Sequence, residues 1–151
     1  MDESSTARRR TVLKAIGAGA VLSTGIIGTA SANPEGLGKY HDVSKAVEEG
    51  YQPTPCVPGM GVHYINFDLI DDEVKVSQPE ALVYAHDGDE LRYLGVEYLA
   101  PEEFSLFGHH AHFIPEIGVY GLHAWFFEKN DNGKHAELHS NVDDNCHFVD
   151  D

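Results

Sequence analysis

Four of the ten histidines, His109, His110, His112 and His123, fall in one stretch from Phe104 to Asn130, which also holds the only tryptophan, Trp125. A His-x-His pair such as His110 and His112 presents both imidazoles to one face if extended, because strand side chains alternate with a period of two. His123 lies in a run, Val119 to Phe127, that is apolar on both parities. It is expected in the interior, where an imidazole needs a hydrogen-bond partner or a metal ion. His63 in GVHYINF and Glu97 in LGVEYLA share that setting, each flanked on its own parity by apolar or aromatic residues. A buried carboxylate is costly unless paired or bound to a cation. Two or three neutral imidazoles with one carboxylate suit Zn²⁺, Cu²⁺, Mn²⁺ or Fe²⁺. The candidate metal site is therefore His63, Glu97 and His123, with His110 or His112 as a fourth ligand. In the competing reading His63 and His123 are core histidines bonded to backbone or tyrosine, and Glu97 faces water at a sheet edge.

Other chemistries fail on their spacing. His135 and His139 are four apart and would share a face if Lys134 to Ser140 were helical, but Ala136 stands where the zinc-protease HExxH motif needs its Glu. As surface histidines they have no assigned role, and His41, His86 and His147 read as solvated. Cys146-His147 has no downstream His or Met to complete a blue-copper site. Glu128 to His139 follows the EF-hand register in part but ends in His rather than Glu. No P-loop, G-x-S-x-G or G-x-G-x-x-G occurs.

The elements that must position these residues are mostly strands. Tyr40, Val43 and Val47, with Gly50 as a stop, predict one short amphipathic helix over about 39–49. Tyr51 to Met60, rich in Pro and Gly, predicts an irregular connection carrying Cys56. Gly61 to Phe67 reads as a strand with His63, Ile65 and Phe67 on one face. Glu80 to His86 and Glu90 to Ala100, joined by Asp87-Gly88-Asp89, read as a β-hairpin. In its second arm Tyr93, Gly95, Glu97 and Leu99 share a parity. Pro101 to Phe104 reads as a helical turn, and 119–127 as a further strand before the Asn130-Asp131-Asn132-Gly133 turn. The fold class is α+β, mainly antiparallel β, with a small sheet expected to curl into a barrel or sandwich behind one N-terminal amphipathic helix.

The first 32 residues read as an export signal. Arg9-Arg10-Thr11-Val12-Leu13-Lys14 follows the twin-arginine pattern, a Gly/Ala-rich apolar run spans Ala15 to Ala30, and Ala30-Ser31-Ala32 forms a small-residue cleavage site. The run is too short and weak to anchor the chain in a bilayer. The partner implied is the twin-arginine translocase, and the expected location is extracellular or at the cell surface. Residues 33–38 then form a linker and 39–151 one globular domain. Without the leader the chain keeps 6 basic against 23 acidic residues, hence a formal net charge of −17. The composition resembles that of haloarchaeal proteins, whose surface repulsion salt screens. It disfavours nucleic acid as a partner. Cys56 and Cys146, 90 positions apart, suggest a disulfide in an exported chain, with free thiols or metal-bound thiolates as rivals.

The segment from Gly50-Tyr51 through Gly59-Met60-Gly61-Val62-His63-Tyr64, Gly95-Val96-Glu97-Tyr98, Leu122-His123-Ala124-Trp125, Asn132-Gly133 and Cys146 resembles a set of small exported bacterial and archaeal proteins without assigned activity. The resemblance implies that Cys56 pairs with Cys146 and that His63, Glu97 and His123 form a group. It does not require His109 to His112. The ligand set also resembles the cupin arrangement, although the cupin order of motifs is not reproduced. The functional expectation is an exported, salt-adapted domain binding a transition metal or small molecule in a pocket lined by His63, Glu97, His123, Tyr64, Tyr98 and Trp125. As an enzyme it would be a metal-assisted oxygenase or hydrolase. The alternative is a metal-free structural or ligand-binding module.

Overall fold

The computed structural model describes residues 34–149; the expected export signal lies outside the described residues. The chain begins with a 3₁₀ turn, Leu37–His41, and a short helix α1, Val43–Glu48. Asp42 caps α1, its Oδ1 accepting from the Ser44 backbone N–H at 3.0 Å. Gly50, at φ 103°, ends it in a conformation that residues with a Cβ rarely adopt. A helix of six residues is not stable alone. This one is held by tertiary packing, with Leu37, Tyr40, Ala46 and Tyr51 buried against the sheet.

Eight strands follow: β1 Gln52–Pro53, β2 Val62–Ile65, β3 Ala81–Asp87, β4 Glu90–Ala100, β5 Ser105–Leu106, β6 His109–His110, β7 His112–Ile114 and β8 Val119–Ala124. Six form one antiparallel sheet in the order β1-β2-β3-β4-β8-β7, and β5 pairs with β6 in a separate ribbon. The sheet is open, with β1 and β7 at its edges, and does not close into the expected barrel. The β3–β4 hairpin turns through Gly88 and Asp89, with Gly88 at φ 65°, so glycine stands first in the two-residue loop rather than second as an Asp-Gly turn would have it. Pro101 to Phe104 and Lys134 to Ser140 are not helical.

Two cores lie on the two faces of this sheet. On the helix side, Leu82, Tyr84, Tyr93, Val96, Tyr98 and Ala124 pack with the residues of the 3₁₀ turn and α1. On the other side lie Val83, Ala85, Leu94, Trp125 and Val142, and next to them Ile65, Ala81 and Leu99. A bulge explains a departure from simple alternation: Val83 pairs with Gly95 and Tyr84 with Tyr93, so Leu94 is unpaired. It moves Tyr93 to the helix side, stacked on Tyr84 at 5.1 Å, instead of leaving it on the face of Glu97.

The C-terminal segment crosses the second face. His86 donates its backbone N–H to the Cys146 carbonyl, and Phe148 donates to His86 in return. A Cys56–Cys146 disulfide, Cα–Cα 5.9 Å, ties this strap to the connection before β2. Arg92 reinforces it, pairing with Glu128 and lying over the Phe148 ring at 3.9 Å. Among the described residues, no helix is long and apolar enough to cross a membrane.

Candidate metal centre

The sheet register brings three distant residues together. Glu97 on β4 stands directly opposite His123 on β8, while His63 on β2 stands opposite Val83 on the intervening β3. His63 Nε2 lies 3.2 Å from His123 Nε2 and 3.2 Å from Glu97 Oε1, and His123 Nε2 lies 3.5 Å from the same oxygen. All three side chains are buried, at 4, 5 and 4 % exposure for His63, Glu97 and His123. Among the described residues this is the group of His, Cys, Asp and Glu side chains whose ligand atoms converge closely enough to hold an ion.

The triangle fits a small cation. Metal–ligand bonds of about 2.0 to 2.1 Å in tetrahedral geometry place neighbouring donor atoms about 3.3 Å apart, and the observed separations bracket that value. Hydrogen bonds alone serve the arrangement poorly. If both rings carry their proton on Nε2, both donate to Oε1 and the two N–H groups crowd each other. If only one does, one of the three approaches sets lone pair against lone pair. A cation bound by all three atoms removes that conflict.

Burial pushes the His123 imidazole down to about 4, against the pull of Glu97, so the ring is neutral at pH 7 and offers a lone pair. Burial works to raise the Glu97 carboxyl, but the His123 and His63 imidazoles beside it outweigh this and hold it below its ordinary value.

The surroundings fix each of the three side chains. His123 stacks on Trp125, centroids 4.9 Å apart and planes 9° apart, and the Trp125 indole N–H donates to the Ala136 carbonyl at 2.7 Å. A Cβ on Gly121 would meet Glu97 Oε2 at 2.5 Å and Leu99 Cδ2 at 2.9 Å, so the carboxylate rests where any other residue would place its side chain. His63 Nδ1 is buried without a hydrogen-bond partner among the described residues, so packing, not a carbonyl or carboxylate behind the ring, sets its orientation.

The expected fourth ligands stand elsewhere. His110 and His112 do not share one strand: the ladder breaks at Ala111, His110 belongs to the β5–β6 ribbon, and His112 opens β7 beside β8. Both are exposed, His110 Nδ1 lying 2.8 Å from Ser105 Oγ and His112 Nδ1 3.4 Å from Glu137 Oε2. Tyr64 and Tyr98 point into the helix-side core, because each adjoins a ligand in a strand, and only Trp125 of the expected aromatics flanks the site. His139, expected at the surface, is buried; its Nδ1 accepts from the Asn141 backbone N–H and its Nε2 lies 3.2 Å from the Glu128 carbonyl. Sequence reading also passed over Gly121, whose position inside an apolar strand was the available signal. Compared with known proteins, the chain matches no family model, no curated protein and no solved structure.

Proposed function

We propose that this domain binds one transition metal ion through His63 Nε2, Glu97 Oε1 and His123 Nε2, and acts in an exported, salt-rich setting. The observation that carries it is the convergence of two imidazole nitrogens and one carboxylate oxygen, 3.2 to 3.5 Å apart, from three separate strands in an apolar interior. Two histidines and one carboxylate leave coordination positions open in Zn²⁺, Cu²⁺, Mn²⁺ and Fe²⁺ complexes. A bound ion would polarise a small molecule or activate water there, the chemistry of a metal-assisted oxygenase or hydrolase. Burial of all three ligands restricts that molecule to a very small one. The disulfide and the acidic composition support the exported reading.

The test is elemental analysis of the full chain purified in high salt, with thermal unfolding after metal removal and readdition. About one ion per chain is expected, absent in His63→Ala and His123→Ala variants that retain the wild-type circular dichroism. Readdition at 100 times the dissociation constant should stabilise the wild type by about 2.7 kcal/mol. Metal-free wild-type protein that gains no stability from any of the four ions would leave a hydrogen-bonded triad in a non-catalytic module.

A further inference from the structure

A second group of histidines lies outside the buried triangle, where residues 109–112 meet residues 135–137. The rings of His109 and His135 are 4.6 Å apart and tilted by 39°. His135 Nδ1 lies 3.0 Å from the backbone carbonyl of His123. A carbonyl only accepts, so His135 carries its proton on Nδ1 and leaves the Nε2 lone pair unprotonated. That is how ligating histidines are commonly prepared, with an oxygen acceptor behind the ring fixing the tautomer. Phe107 stacks on His135 at 5.1 Å and holds the ring in place.

We infer that His109 and His135 form a second site, at the surface, for a divalent transition ion, chelated by two imidazoles with water in the remaining positions. This site is weaker than a three-ligand centre and independent of whether the buried triangle is filled. An imidazole pair selects Zn²⁺, Cu²⁺ or Ni²⁺ over Mg²⁺ and Ca²⁺, which take oxygen ligands.

Calorimetric titration of the metal-stripped full chain with Zn²⁺ tests this. Two classes of site are expected in the wild type. His109→Phe, which keeps an aromatic ring against His135, should weaken the looser class by tenfold or more, in the range that loss of supporting groups costs metal sites. His135→Phe should do the same, while His63→Ala removes only the tighter class. In the unmutated chain, NMR should show the His109 and His135 ring resonances moving together as the looser class fills. A looser class that survives in both phenylalanine variants, or a titration in which these two rings do not move, overturns the inference. A wild type with only the looser class would uphold it and sink the buried centre; one with only the tighter class would do the reverse.

Discussion

At the scale of single residues, His123 sets the chemistry available. The unfolded chain protonates this ring near 6.5, whereas the folded ring resists protonation down to about 4. Between those values the unfolded state binds more protons, so stability is complete above pH 6.5 and falls as the pH drops toward 4. The loss is up to about 3 kcal/mol for a shift of this size. Thermal unfolding from pH 7.5 to 4.5 should show the melting temperature falling with pH, and His123→Gln should flatten that part of the profile. An unchanged profile in the variant would place the pH sensitivity in another histidine. The buried grouping of His63, Glu97 and His123 was legible in the sequence because each is a polar residue on an otherwise apolar parity. His110 and His112 were misleading because a two-residue spacing predicts a shared face only while one strand continues, and here the chain changes partners at Ala111.

At the scale of elements, β8 is where sheet and site depend on each other. Gly121 leaves the volume that Glu97 Oε2 occupies, so Gly121→Ala should displace the carboxylate from the two imidazoles. We expect a loss of metal affinity of roughly 10- to 100-fold, the range seen when groups orienting a ligand are disturbed. Competition titration against a chelator measures it, with circular dichroism to confirm the sheet. Unchanged affinity would mean that Glu97 is not a ligand. The β3–β4 hairpin and β8 could be read from their turns and apolar runs, since those signals are local. The bulge at Leu94 could not, because an alternating pattern carries no mark of an inserted residue until the partner strand is known. Strands β5, β6 and β7, two or three residues each, are too short to show a period. His139 was misplaced because its segment was compared with a helix, whereas it folds as an irregular strap whose polar groups bond to backbone.

At the scale of the whole molecule, the disulfide closes a loop containing nearly all of the sheet. Loop-closure entropy for that span is about 4 to 5 kcal/mol. The Cys56→Ser/Cys146→Ser variant should therefore lose about 4 kcal/mol in denaturant unfolding at high salt, with Glu97, His63 and His123 still assembled if the fold persists. A loss below about 1 kcal/mol would mean that the strap is held by its backbone pairing and by Arg92. His63, Glu97 and His123 come from β2, β4 and β8, and in each of these strands the adjacent residue, Tyr64, Tyr98 or Ala124, packs in the opposite core. Shifting any one of these strands at the trio therefore also shifts a side chain on the far side of the sheet. An ion held there would therefore sense the packing of both faces of the sheet, and disturbing the far core should weaken its binding.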